Sequence, residues 1–290
     1  MEILPSLEKK DYSVSEEQIR DYHKNGFLIL EDFFSEESDL ILDKIKLHAD
    51  NDYGPILNPD RIPFLIKRDP RVSRKIRDQI YLSREIDGDI SIALWNEINQ
   101  DVRYQIGETS RLIRRIMKAK RSVHLLEALQ GEKIVGLMSQ MLFKAPKSPY
   151  AKGWTPHQDN AYPKSPNGKY ITTNLFLENA DIENGAMFIY PGSHVEPLLP
   201  FEERASYLES RDDKAGYTLE VPELYKDRKT DLIVGKGSLL VMHGHCIHGS
   251  YENISESRAR PLLSCSYISE GEPFVSGTHS FRAPIPLHRK

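Results

Sequence analysis

The sequence predicts helices packed against a mainly β core, a sandwich or barrel, within one domain. Three observations predict it. Apolar residues recur at helical spacing through the first half of the chain. Near Gly131 the texture changes to short apolar or alternating segments, separated by Pro, Gly, Asn and Asp, with no long helix between them. The length, 290 residues of which 39% are hydrophobic, suits one elaborated domain with a sizeable core. The helix-rich part is expected over about 1–130 and the β core over about 131–290.

Ser15, followed by Glu16, Glu17 and Gln18, caps a helix through Ile19 and Tyr22 that Gly26 ends. Phe27-Leu28-Ile29-Leu30 reads as a short strand. Ser35 with Ser38 opens an amphipathic helix carrying Leu40, Ile41, Ile45 and Leu47. A Pro-rich connection covers 55–63, and helical spacing resumes over 72–82, 90–98, 110–117 and 123–129. Strands are predicted at 134–143, 170–177, 186–190, 239–242 and 262–268. The polar, proline-interrupted stretch 196–236 reads as a long excursion from that core. Short strands spaced in this way point to a sandwich or barrel rather than a doubly wound sheet.

Lys plus Arg number 39 and Asp plus Glu 43, a formal charge of −4. This balance speaks against a nucleic-acid partner, and the basic run from Arg71 to Arg77 reads as a solvated helix face. Cys246 and Cys265 make no disulfide framework and no close zinc pair; both sit in apolar stretches and read as buried thiols. No run approaches the length that spans a bilayer, and no basic stretch leads into a signal-like apolar core. A small-molecule partner and a cytoplasmic location are the expectations. No interface pattern indicates an oligomeric state.

The sharpest local signal is Trp154-Thr155-Pro156-His157-Gln158-Asp159-Asn160. Residues two apart on an extended segment share a face, so His157 and Asp159 can offer an imidazole nitrogen and a carboxylate oxygen to one ion. A third ligand is expected from His243-Gly244-His245-Cys246-Ile247-His248, where His243 and His245 share strand parity and His248 does not. Two histidines and one carboxylate occupy one face of an octahedron and leave positions open, an arrangement suited to Fe(II) oxygen chemistry. The spacing leaves the third ligand undecided, and zinc is an alternative metal.

Several further motifs occur in a telling order. Gly26-Phe27-Leu28-Ile29-Leu30 precedes Phe33-Phe34-Ser35, and Phe143-Lys144-Ala145-Pro146 precedes His157-Gln158-Asp159-Asn160. Asn184-Gly185-Ala186 and Pro191-Gly192-Ser193-His194 follow, then Gly237-Ser238-Leu239-Leu240, His248-Gly249-Ser250 and Asn253. In order and spacing the chain resembles the phytanoyl-CoA dioxygenase family of Fe(II)- and 2-oxoglutarate-dependent oxygenases. The resemblance implies a double-stranded β-helix, a cupin-like jelly roll, with N-terminal supporting helices. It implies His157, Asp159 and His248 as the iron ligands.

The same resemblance implies an arginine shortly after the distal histidine that grips the far carboxylate of 2-oxoglutarate, where a planar guanidinium suits the geometry. Arg258 and Arg260 flank the usual position; Arg260 is the better candidate because it enters the apolar strand directly, and Arg258 is expected in a turn facing water. Ser250, Gln158 and Gln140 match positions near the cosubstrate. At Asn174 many relatives carry tryptophan, and asparagine leaves more room there. Trp154, Asn160, Tyr162 and Lys144 are candidate walls of the substrate pocket, and His194, His243 and His245 are expected in structural roles.

The implied reaction hydroxylates an unactivated C–H bond of a small polar metabolite or natural-product intermediate, consuming dioxygen and 2-oxoglutarate and releasing succinate and CO2. Asp159 opposes halogenation, in which a small residue replaces the carboxylate to admit halide. Desaturation, cyclisation and epimerisation share the same chemistry. A non-catalytic jelly-roll protein that binds a metal or ligand is the rival from another class, and a zinc hydrolase is a further enzymatic alternative.

Overall fold

The computed structural model describes residues 12–43, 111–144, 146, 153–203, 217–276 and 282–288. The helices expected over 72–82 and 90–98, and the Pro-rich connection, lie outside them.

Helix α1 (Glu16–Asn25) starts at a reciprocal cap: the Gln18 amide N–H donates to Ser15 Oγ at 3.1 Å and the Ser15 N–H to Gln18 Oε1 at 3.0 Å. It stops at Gly26, whose φ of 82° lies in the left-handed region and whose N–H returns to the Tyr22 carbonyl at 2.7 Å. The chain turns straight into β1 (Phe27–Leu30). A second helix begins at Ser38, and α2 (Arg111–Met117) and α3 (Lys120–Gln130) follow, α3 ending at Gly131 with φ 75°.

Two antiparallel sheets make up the β part. The larger contains β1, β2 (Ile134–Lys144), β4 (Tyr170–Phe176), β9 (Leu239–His243) and β11 (Arg260–Ser269) in the order β1-β9-β4-β11-β2. The smaller contains β3 (Trp154–Gln158), β5 (Met187–Ile189), β8 (Thr230–Leu232) and β10 (Ile247–Ser250) in the order β3-β10-β5-β8. A short ladder pairs β6 (Glu202–Glu203) with β7 (Tyr217–Thr218), and a single turn, α4 (Glu223–Lys226), precedes β8.

Alternation along the larger sheet sorts its side chains into two sets. Ile171, Leu175, Leu239, Val241, Leu263, Cys265 and Tyr267 pack against Ile113, Met117, Leu125, Leu126 and Leu129 of the helices in one buried cluster. Burying each such aliphatic side chain contributes about 1.5–3 kcal/mol, so this face anchors the sheet. Phe176, Leu240, Met242 and Leu262 point the other way and share a second cluster with Met187, Ile189 and Leu232 of the smaller sheet.

This arrangement corrects the expected fold class. Among the described residues the strands form two separate open sheets, neither curled nor closed into a barrel, so the architecture is mixed α/β and not a double-stranded β-helix. Period-two alternation is the same in a closed barrel and in stacked open sheets, so the sequence pattern does not decide closure. The stretch 196–236 also contributes more than an excursion, since β8 pairs with β5 in register Met187↔Leu232.

A ladder irregularity between His248 and Ser250 sits where Gly249 passes the Trp154 carbonyl. A Cβ at Gly249 would lie 2.5 Å from that oxygen and against the Phe188 ring. Gly249→Ala is therefore expected to cost about 1–3 kcal/mol by overpacking. Urea denaturation checks this; an unchanged midpoint would show that the two strands have room to part.

Candidate metal centre

Strands β3 and β10 pair antiparallel with His157 directly opposite His248, their ring centroids 4.3 Å apart. Asp159 follows at the start of a 3-10 turn, Asp159–Ala161, whose Asn160 N–H donates to the Gly244 carbonyl at 2.8 Å. One Asp159 oxygen, Oδ1, lies 3.6 Å from His157 Nε2 and 3.7 Å from His248 Nε2. One ligand atom from each residue falls within 4.8 Å of the others.

Each imidazole is oriented by the backbone two residues before it. His157 Nδ1 lies 2.8 Å from the Thr155 carbonyl and His248 Nδ1 3.0 Å from the Cys246 carbonyl. A carbonyl only accepts, so Nδ1 carries the proton and the Nε2 lone pair of each ring faces the shared point. Thr172 Oγ1 donates to Asp159 Oδ2 at 3.2 Å. Burial pushes the Asp159 carboxyl up, but His248, His157 and the Thr172 hydroxyl together outweigh it and bring the pKa down to about 2. Burial lowers His248 to about 4 against the pull of Asp159, so it stands neutral. Two imidazole Nε2 atoms and an ionised carboxylate, all facing one point, fit a divalent metal.

Strand parity left the third ligand undecided among His243, His245 and His248, and the fold shows why parity has no force here. Strand β9 ends at His243 and β10 begins at Ile247, so the alternation restarts across the turn between them. His243 Nδ1 accepts the His245 N–H at 3.1 Å, and His245 Nε2 lies 2.7 Å from Asn160 Nδ2. His194 stacks edge-on beside His243, away from the triad.

A cleft of about 770 Å³, measured out to its open mouth, adjoins the triad. Its floor is one face of the larger sheet: Met138, Gln140 and Leu142 of β2, Tyr170, Thr172 and Asn174 of β4, and Arg260, Leu262, Ser264 and Ser266 of β11. Trp154, Tyr162, Met187 and Ser250 also line it. Arg260 is 2% exposed; its Nε donates to the Gly185 carbonyl at 3.1 Å, while Nη1 is buried with no protein partner. Such an orphaned donor suits an anionic ligand oxygen. Arg258 faces outward into ion pairs with Asp181 and Glu183. Lys144, opposite Arg260 in the ladder, donates from Nζ to Ser250 Oγ at 2.9 Å and to the Tyr251 carbonyl.

The remaining candidates divide. Gln140 and Asn174 reach the cleft from positions paired with Ser264, and Gln140 Oε1 is buried without a protein partner. Trp154 and Tyr162 stand with ring centroids 5.8 and 6.5 Å from that of His157. Gln158 and Asn160 do not line the cleft. Gln158 projects from the opposite face of β3, where its amide donates to the Pro197 and His245 carbonyls and accepts from the Leu199 N–H. Asn160 ties the Ser165 backbone to His245. Their closeness to the ligands in sequence made them look like site residues; strand alternation turns Gln158 away, and the 3-10 turn carries Asn160 toward Ser165 and His245.

Sequence reasoning missed Thr172 and Arg282. Thr172 and Asn174 were visible as polar residues in an otherwise apolar strand. Arg282 lies in a stretch that carried no motif; the bridge between Gly136 and Ile285 brings it to the cleft wall, where it is 3% exposed.

Residues 22–261 match the family model described as Phytanoyl-CoA dioxygenase (PhyH). A relative from Arabidopsis thaliana named phytanoyl-CoA dioxygenase is 24% identical, the match covering 94% of this chain and 96% of that protein. A relative from Stutzerimonas stutzeri named probable alpha-ketoglutarate-dependent hypophosphite dioxygenase is 27% identical over 66% of this chain and 73% of its own. The fold matches that of EctD from S. alaskensis, solved with 2-oxoglutarate and 5-hydroxyectoine, at TM-score 0.62 and 17% identity, covering 98% of this chain and 90% of that one. The expected cytoplasmic location is overturned: phytanoyl-CoA dioxygenases of Rattus norvegicus and Bos taurus, both 26% identical over 53% and 49% of this chain, are named peroxisomal. Lack of a signal-like apolar core carries no weight there, because peroxisomal import reads a short receptor-recognised address. Among the described residues no helix is long and apolar enough to cross a membrane.

Burial, with Arg260 adding to it and Glu252 opposing, lowers the Lys144 pKa from 10.5 to about 6. Between those values the unfolded chain holds a proton that the folded chain does not, so the Lys144 contribution to stability rises with pH across the window. In ligand-free protein, the gain in unfolding free energy from pH 7 to 9 is expected to shrink in Lys144→Met, read by urea unfolding at both pH values. An identical pH slope in the two proteins would refute the burial of a neutral amine.

Proposed function

The chain belongs to the phytanoyl-CoA dioxygenase family, and we propose that it hydroxylates an unactivated C–H bond of a small polar metabolite or natural-product intermediate. It is a non-heme Fe(II)- and 2-oxoglutarate-dependent oxygenase acting on a small molecule. The single observation that carries this reading is the convergence of His157, Asp159 and His248 within 4.8 Å beside an open cleft. Small polar compounds suit the cleft and accord with the hypophosphite and 5-hydroxyectoine named for the relative and the fold neighbour.

In this reading His157 Nε2, His248 Nε2 and the Asp159 carboxylate hold the iron. When bound, iron with 2-oxoglutarate and dioxygen supplies oxidative decarboxylation to succinate and CO2, and the oxidising power for hydroxylation. Thr172 steadies the carboxylate against rotation. Arg260 and Ser250 hold the distal carboxylate of the cosubstrate, and Lys144 orients the Ser250 hydroxyl. Met138, Leu142, Met187 and Leu262 give the cleft apolar walls that keep water from the reacting centre. The carboxylate of Asp159 fills the position that a halide would take, which favours hydroxylation.

Alanine at His157, Asp159 or His248 is expected to reduce both bound iron and succinate formation to background. Iron content and turnover like those of the parent in the His157→Ala protein would sink the assignment. Charge-assisted hydrogen bonds are worth about 1.5–3 kcal/mol, so Arg260→Ala is expected to raise the KM for 2-oxoglutarate roughly tenfold to a hundredfold. Arg258→Ala should leave it unchanged; the reverse pattern would transfer the role to Arg258.

A further inference from the structure

Two buried arginines line the same cleft, and they lie at different ends of it. Arg260 opens β11 and is paired with Lys144. Arg282 stands in the segment that runs beside the start of β2, where Gly136 pairs with Ile285 and the Ala283 N–H reaches the Leu137 carbonyl at 3.5 Å. On β2, Lys144 and Met138 mark the two ends, and six residues of strand at about 3.3 Å each separate them by roughly 20 Å.

The triad divides the cleft between them. Asp159 is held by Thr172, which pairs through Ser266 with the Met138 end of the sheet. Ser250, two residues beyond His248, reaches the Lys144 and Arg260 end. The cosubstrate therefore lies on the Arg260 side of the metal. The Arg282 guanidinium stands over the Tyr162 ring at 5.6 Å, and Tyr162 in turn meets His157 edge-on. Tyr170, also in the lining, feels the charges of both Arg282 and Asp159 and hydrogen-bonds Arg282.

We propose that Arg282 is the residue that selects the substrate, and that the substrate carries an anionic group, a carboxylate or a phosphorus oxyanion, bound at the Tyr162–Arg282 end of the cleft. The inference rests on the oxygenase reading. A guanidinium set against two tyrosines presents a planar donor edge with an aromatic face behind it, which suits an oxyanion better than a neutral group. Placing the anion here leaves the rest of the molecule reaching past Tyr162 and Tyr170 toward the triad.

The test uses the whole chain, loaded anaerobically with Fe(II) and 2-oxoglutarate, whose chelation gives a visible charge-transfer absorption. Butyrate, propylphosphonate and neutral butyramide are titrated as probes, each read by perturbation of that absorption. The anions should bind and butyramide should not. In Arg282→Gln their affinity should fall about tenfold or more, with the affinity for 2-oxoglutarate unchanged and partial recovery in Arg282→Lys. A preference for butyrate or for propylphosphonate then identifies which oxyanion the site takes. Equal binding of butyrate and butyramide by the parent protein overturns the proposal without needing a variant. So does a loss of 2-oxoglutarate affinity in Arg282→Gln with anion binding intact. If no charge-transfer absorption forms in the parent protein, the oxygenase reading itself fails, and this inference with it.

Discussion

The pairing of β3 with β10 is the interaction on which the rest depends. It sets His157 opposite His248 and leaves Asp159 at the exit of the strand, so three ligand atoms meet without a long loop having to hold them. Rigid backbone gives such a site its precision, since each imidazole is oriented by the carbonyl two residues before it, Thr155 within β3 and Cys246 just ahead of β10. Gly249 is the cost of that closeness. The ladder is tight enough that no side chain fits between the Phe188 ring and the Trp154 carbonyl.

The larger sheet does two jobs with its two faces. Ile171, Leu175, Leu239, Val241, Leu263, Cys265 and Tyr267, odd-numbered residues of β4, β9 and β11, pack on the helices, where burial stabilises the molecule. Its even-numbered residues in β2, β4 and β11 include Gln140, Thr172, Asn174, Arg260, Ser264 and Ser266, a polar set under a mixed cleft. Burying Arg260 beside Lys144 destabilises the ligand-free fold, because the guanidinium loses water and the amine gives up its proton. The helix-backed face carries that load.

Much of the local structure was legible in particular residues. Ser15 and Gln18 announced the helix start, Gly26 its end, and the apolar runs of β1, β2, β4, β9 and β11 their strands. The strands that carry the site were harder to read. His, Gln, Gly and Ser in β3 and β10 replace the apolar alternation with chemistry, and β8 is a short edge strand with an exposed, charged start. Gln158 shows the converse error: sharing a motif with two ligands says nothing about which face a side chain takes.

By itself the sequence determined the residue types and their order: a His-x-Asp pair, a distal histidine, an arginine entering the following strand, and the family to which that order belongs. Those properties are local or are carried by spacing along the chain. Only the tertiary structure decided that the sheets stay open, that His248 rather than His243 or His245 meets the pair, that Arg260 points inward and Arg258 outward, and that Arg282 reaches the cleft. Each of these is a contact between segments far apart in the chain, fixed by which strands pair and in which register, and no short window of residues encodes it.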